Sequence, residues 1–173
     1  MKKQIFLKWF IFAISLAINL FILINAFING ETSAKESNTI AHAAAEVINA
    51  IKPETVTSAN FEQFSFFLRK AVGHFGLFVF SGVFSSWATY LFSKDTKVGY
   101  FLSQATMDLS FGFVVATLSE FIQIFTDGRS GAWADVGIDF SGFFLGFLII
   151  FLIFLLRKSK IFNKENYVKN QAE

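Results

Sequence analysis

The sequence predicts an all-α, polytopic integral membrane protein of about four transmembrane helices, with both termini on the cytoplasmic side. Three observations predict it. Hydrophobic residues make up 54% of the 173-residue chain and charged ones only 16%, against the roughly 25% charged that keeps a soluble domain wet. Four separate runs reach the length of about 20 mostly apolar residues that a crossing helix requires. The chain carries 26 Phe and one Pro, which suits long helices that face lipid. The net charge of +2 is small and the basic residues are scattered, which argues against nucleic acid as the main partner. The chain has no Cys, so disulfides, thiolate catalysis and Cys-ligated zinc are excluded.

The first run, residues 9–28, follows Lys2, Lys3 and Lys8. It is longer than the roughly 7–15-residue apolar core of a signal peptide and shows no convincing cleavage site, so it reads as a retained anchor. Its polar residues are Ser15, Asn19 and Asn25, which predicts a helix at the edge of the bundle. Residues 29–69 form a long loop with amphipathic helical stretches. Ile40, Val47, Ile48 and Ile51 recur at helical spacing until Pro53 ends the run. Phe61, Phe64, Phe67 and Leu68 suggest a second stretch leading into the next span. This loop either lies in the headgroup layer or is a solvated connector, and both readings stand. The second, third and fourth spans are residues 71–92, 98–125 and 134–156, the last closed by Arg157, Lys158 and Lys160. Four regions follow: an N-terminal transmembrane helix (1–28), the external loop (29–69), a three-helix membrane unit (70–156) and a polar cytoplasmic tail (157–173).

Orientation comes from the positive-inside rule. With the N-terminus inside, ten basic residues fall on the inner side, among them Lys94 and Lys97 in the short 93–97 connection. Five fall outside: Lys35, Lys52, Arg69, Lys70 and Arg129.

Polar and small residues form stripes on the spans. At about 100° per residue, Lys70, His74, Ser81 and Ser85 share a sector of span two. Asp108, Gly112, Ser119 and Gln123 share one on span three, with Glu120 at its margin, and Asp135, Asp139, Gly142 and Gly146 share one on span four. Carboxylates cost about 2.5–3.5 kcal/mol in lipid and so turn inward. Gly142 and Gly146, spaced small-xxx-small, let two backbones approach. The topology brings Lys70, His74, Glu120, Gln123, Arg129, Asp135 and Asp139 to the outer ends of their spans. Arg129 is expected within salt-bridge reach of Glu120, Asp135 or Asp139, with Lys70 and His74 bordering the same pocket. Three carboxylates beside one Arg leave excess negative charge, so either one carboxyl carries a proton or a further cation is supplied. Asp108, near the midplane, is expected to be protonated and bonded to Ser81 or Ser85. The run TDGRSG (126–131) is a turn signal, whose glycines could also present N–H groups to an anion beside Arg129. Trp9, Trp87 and Trp133 fall near span ends, as aromatic belts do.

The stretch SEFIQIFTDGRSGAWADVGIDFSGFFLG (119–146) resembles the VanZ-like family pattern of Glu, Gln three residues on, Arg, Asp, Asn or a substitute, then Gly and Gly. The matching positions are Glu120, Gln123, Arg129, Asp135, Asp139, Gly142 and Gly146. RKAVGHF (69–75) resembles the family's basic residue followed by His-Phe at the start of a span. The likeness covers residues 69–156. Asp139 stands where the family commonly has Asn, which makes the pocket more acidic, and the long 29–69 loop has no match in the pattern. The resemblance implies a multi-pass protein of the bacterial plasma membrane and cell envelope, in a family named for a member linked to teicoplanin-type lipoglycopeptide resistance.

Three function classes fit the cluster and stay open. One is a protein that binds membrane lipid through a polar headgroup, a lipid-linked envelope precursor or a lipoglycopeptide. The second is an enzyme on such a lipid, with Glu120 or an Asp as general base and Arg129 holding phosphate. The third is a structural subunit in which one Arg neutralises carboxylates at a helix–loop–helix corner. No cofactor is expected. No metal is expected either, since no His-x-x-x-His spacing occurs.

Overall fold

A computed structural model describes the backbone of residues 2–93 and 98–170 and the side chains of residues 2–93 and 102–157. Lys94, Lys97 and the side chains of the predicted tail beyond Arg157 lie outside the described residues. The elements in chain order are α1 (Lys2–Ala26), α2 (Gly30–Ile51), α3 (Phe61–Leu68), a π-helical segment (Arg69–Gly76), α4 (Leu77–Phe92), α5 (Val98–Ile124) and α6 (Trp133–Asn170). Among the described residues, four stretches are long and apolar enough to cross a membrane: Lys2–Ala26, Phe61–Phe92, Leu102–Ile124 and Trp133–Arg157. The all-helical, four-span reading of the sequence therefore holds.

Burial is inverted relative to a soluble domain. Ile5, Phe6, Phe10, Leu16, Phe80 and Phe121 are exposed, while Asn19, Ser81, Asp108, Glu120 and Asp139 are buried. Polar groups in a helix that crosses lipid must turn inward to find partners, and the apolar side chains are left to the acyl chains. The stripes predicted on three spans meet in the interior for this reason.

The seam between α4 and α6 is the most extensive helix contact. Small residues allow it. A Cβ built at Gly146 would overlap the Val79 carbonyl oxygen and come within 2.6 Å of Val83 N. One at Gly142 would overlap the Phe75 carbonyl, and one at Gly82 the Phe143 carbonyl. Gly112 of α5 supplies the remaining room, because the Phe143 ring, 0% exposed, packs against its Cα. Without a hydrophobic driving force between helices in lipid, such close backbone approach is what holds them together. Gly82 escaped the sequence reading, since it has no paired glycine at small-xxx-small spacing on its own helix.

The first span, expected at the edge of the bundle, has the smallest buried share of the four spans, yet it is firmly attached. α1 packs on both α4 and α5, and two side chains fasten it. Asn19 Nδ2 donates to the Ser15 carbonyl at 2.8 Å and to Ser85 Oγ at 3.2 Å, and Asn19 Oδ1 accepts from Ser81 Oγ at 2.8 Å. Ser15 Oγ and Ser85 Oγ are 2.9 Å apart. Ser81 and Ser85 are thereby committed to α1, which corrects their expected bond to Asp108. The hydroxyls beside Asp108 are instead Ser86 and Thr89, in a small cavity of about 40 Å³ that Gln104 also lines.

Between α1 and the second span, α2 and α3 form a helical hairpin. Asn29 caps α2 by accepting from Thr32 N at 2.8 Å, and Pro53 lies beyond its last turn. Asn49 clamps the connection, donating to the Val56 carbonyl at 2.8 Å and accepting from Val56 N at 2.9 Å. Ser65 Oγ donates to Asn38 Oδ1 at 2.7 Å, and His42 stacks on Phe61 with ring centroids 4.1 Å apart. The hairpin is seated on the connection between α5 and α6. Gly30 N donates to the Asp127 carbonyl at 2.8 Å, and Gly30 lies so close to Gly128 that a Cβ at Gly30 would overlap the Gly128 carbonyl. Gly128 also has φ +69°, a conformation that favours glycine.

Candidate functional site

The site is built where the C-terminal ends of α1 and α5 meet the π-helical segment and the first turns of α6. The π-helical segment carries Arg69, Lys70 and His74. Sequence reasoning at α-helical spacing missed it. Gly73 and Gly76 are its local signal: a Cβ at Gly76 would stand only 3.1 Å from the Ala71 carbonyl, five residues back, in the region where a π-type bond points. π-Helical turns recur at functional sites because the widened turn re-aims side chains.

Lys70 Nζ pairs with Asp135 Oδ1. His74 Nδ1 lies 3.0 Å from Asp139 Oδ1 and 3.8 Å from Glu120 Oε1. Glu120 is held from two sides: Gln123 Nε2 donates to Oε1 at 2.7 Å, and Ala132 N donates to Oε2 at 3.1 Å. Gly131 lets the chain pass over the Glu120 carbonyl, where a Cβ would overlap it. Asp139 is 1% exposed and Glu120 3%. Buried carboxylates of this kind must be paired or fully hydrogen-bonded.

The expected ion pair of Arg129 is corrected. Among the described residues no carboxylate pairs with it directly. Arg129 Nε donates to Gln123 Oε1 at 3.1 Å, and Nη1 donates to Ser33 Oγ of α2. The physical reason is Gln123, one turn beyond Glu120, whose amide stands between the two charges, accepting from the guanidinium and donating to the carboxylate. Burial pulls Arg129 below its ordinary value, opposed first by the Glu120 charge and then by Asp135, and reinforced by Arg69. Arg129 thus bridges α5 to the α2 hairpin. The 126–131 turn is closed by Arg129 N, which donates to the Thr126 carbonyl at 3.1 Å, and tied to the end of α1 by Thr126 Oγ1, which donates to the Ala26 carbonyl at 3.0 Å.

Beside this cluster opens a cleft of about 860 Å³ between the bundle and the α2–α3 hairpin. Arg69, Lys70, His74, Arg129, Asp135 and Asp139 line its polar part. Phe21, Ile22, Ile40, Phe66, Leu77 and Phe78 line its apolar part. α2 also contributes Ser33, Glu36 and Ser37, none of which the sequence reading singled out. No spacing rule joins a loop helix to spans some 100 residues away; the only sequence sign is the Gly30 and Gly128 that let the two backbones touch. Of the seven candidate residues, six line the cleft, and Glu120 stands behind His74 and Asp139.

A protein-family model described as VanZ/LLP1 matches residues 9–155. The match takes in α1 and the α2–α3 hairpin as well as the 69–156 region that carries the quoted motif. No curated protein and no solved structure matches the chain.

Proposed function

The chain belongs to the VanZ/LLP1 family, and from that premise and the shape of the cleft we propose that it is a multi-pass protein of the bacterial plasma membrane that binds the polar headgroup of a membrane lipid or lipid-linked envelope precursor at the outer leaflet. Such binding would contribute to glycopeptide or lipoglycopeptide tolerance by occupying or withholding that lipid. One observation carries the reading: a single cleft joins a charged and hydrogen-bonding end, where Arg69, Lys70 and Arg129 stand with Glu36, Asp135 and Asp139, to an apolar wall with Phe21, Phe66 and Phe78. Ligand sites combine a mostly apolar lining with a few placed polar groups, and an amphiphile whose headgroup brings an oxyanion to the two arginines matches both ends. Arginines suit planar or tetrahedral oxyanions.

Native mass spectrometry of protein extracted with its lipids tests this. Wild type should retain an anionic lipid with clear headgroup preference, and Arg69→Gln should weaken retention roughly tenfold, the loss of about one charged hydrogen bond. Wild type that carries bulk lipid in membrane proportions would sink the proposal.

The outer-leaflet placement rests on the ten-to-five excess of basic residues on the inner side. Reporter fusions after Leu156 and within residues 29–60 are expected to report cytoplasmic and external locations respectively. A cytoplasmic signal from the 29–60 fusion would move the cleft to the inner leaflet.

A second reading, an enzyme acting on the bound lipid, is favoured by the His74–Asp139 pair. Its 3.0 Å contact is the arrangement in which a carboxylate orients an imidazole for proton transfer. Glu120 is poorly placed as the base, since both its oxygens already accept hydrogen bonds. Chemical turnover of the co-purified lipid selects this reading.

A further inference from the structure

We propose that His74, Glu120 and Asp139 form a binding site for one divalent transition-metal ion, with Zn²⁺ the ion of first choice. The three residues come from the π-helical segment, α5 and α6, and each offers a ligand atom within 4.8 Å of the others. A tetrahedral ion with bonds of about 2.1 Å separates its donors by about 3.4 Å. The separations from His74 Nδ1, 3.0 Å to Asp139 and 3.8 Å to Glu120, bracket that spacing. One imidazole and two carboxylates form a mixed N/O set, which suits zinc or manganese better than calcium.

Charge supplies a second and independent reason. Glu120 and Asp139 are almost wholly buried, yet among the described residues neither has a Lys or Arg partner. Lys70 is committed to Asp135, and Arg129 to Gln123 and Ser33. A protonated His74 would offset one negative charge and leave the other. A divalent ion, replacing the proton between His74 Nδ1 and Asp139, offsets both. Buried charges are paired or coordinate metals.

The supporting shell also has the form that metal sites take. Gln123 and the Ala132 N–H orient both oxygens of Glu120, and Gln123 is itself held by Arg129. Such outer-shell bonds fix ligand geometry and tune affinity. Three protein donors leave at least one coordination position, as in catalytic zinc sites. His74 and Asp139 line the cleft, so that position is reached from it and an oxygen of a headgroup can complete the set. Sequence spacing gave no sign of this because the donors are 46 and 19 residues apart on three elements.

The test uses full-length, tag-free protein in detergent, stripped with a chelator and titrated with ZnCl₂ alone. The metal titration contains no lipid, so its outcome is separate from that of the lipid-retention experiment. Calorimetry and metal analysis should find one ion per chain and a higher melting temperature. His74→Ala and Asp139→Asn should abolish stoichiometric binding, Gln123→Ala should weaken it by roughly 10–100-fold, and His42→Ala should leave it unchanged. If either ligand variant fails to fold, X-ray absorption on zinc-loaded wild type decides: one imidazole with oxygen donors is expected, and two imidazoles overturn the site, since the chain has only His42 besides His74. Wild type that binds no zinc, or binding that survives Asp139→Asn, also overturns it. The first result, joined to a Glu120→Gln variant as stable as wild type, would assign the excess charge to a proton on a carboxyl.

Discussion

Gly146→Leu is expected to destabilise the protein by at least about 3 kcal/mol, a fall of roughly 6–12 °C in melting temperature for a chain of this size. Overfilling a packed contact usually costs about 1–3 kcal/mol because side chains can swing aside. Here the neighbours are the Val79 carbonyl and Val83 N of α4, which are backbone and cannot. The helices must separate instead, which strips Phe143 from Gly112 and exposes the buried face of α6. Gly137→Leu is the matched control on the same helix. Nothing lies within 4 Å of a Cβ there, and replacing Gly in a helix gains up to about 1 kcal/mol of propensity, so that variant should melt at or above wild type. Thermal unfolding in detergent, followed by tryptophan fluorescence, measures both. Equal melting of Gly146→Leu and wild type would mean that this face of α6 looks onto lipid.

That contrast also marks how far the sequence could be read. The four spans and the inward-turned stripes were legible because membrane helices obey two strong constraints, length and polar burial, and both are written in single residues such as Asp108, Glu120 and Asp139. Gly142 and Gly146 were legible from their spacing. The convergence of the candidate residues followed from helix direction alone. What sequence could not supply was the partner of each group. Charge assigns Arg129 to Glu120, Asp135 or Asp139, but Gln123 is interposed between Arg129 and Glu120, and only the local turn of α5 decides that. Depth assigns Ser81 or Ser85 to Asp108, but Asn19 of α1 takes both. The π-helical segment was invisible because a 100° periodicity assumes the α-helix it departs from. The roof of the cleft was missed because α2 carries too little apolar length to announce a membrane role, and its docking is made by single contacts at Gly30 and Ser33.

Arg129→Ala is expected to loosen that roof and to weaken ligand retention, whereas Asp127→Ala, two residues away, should do neither. The Arg129 guanidinium donates to Gln123 on α5 and to Ser33 on α2, so its removal unties the hairpin from the bundle and leaves Gln123 Oε1 without its charged donor. Hydrogen bonds to a charged group contribute about 1.5–3 kcal/mol, and this side chain is only half-buried, so the lower end applies to each. The hairpin would stay attached, because the Gly30–Asp127 bond at 2.8 Å involves other groups. The loss should therefore appear as faster amide exchange in α2 around Ser33 rather than as global unfolding. Removing a cation from the cleft's lining lowers retention of an anionic lipid at the same time. Asp127 acts through its backbone carbonyl, which Ala retains, and its side chain is exposed, so that variant should stay within about 0.5 kcal/mol of wild type. Arg129→Lys separates geometry from charge. Lys keeps the charge but lacks the planar fork that reaches two acceptors at once, so α2 exchange should remain fast while lipid retention recovers in part. Identical exchange and retention in Arg129→Ala and Asp127→Ala would show that the guanidinium neither holds the hairpin nor faces the ligand, and the cleft would then need another roof and another cation.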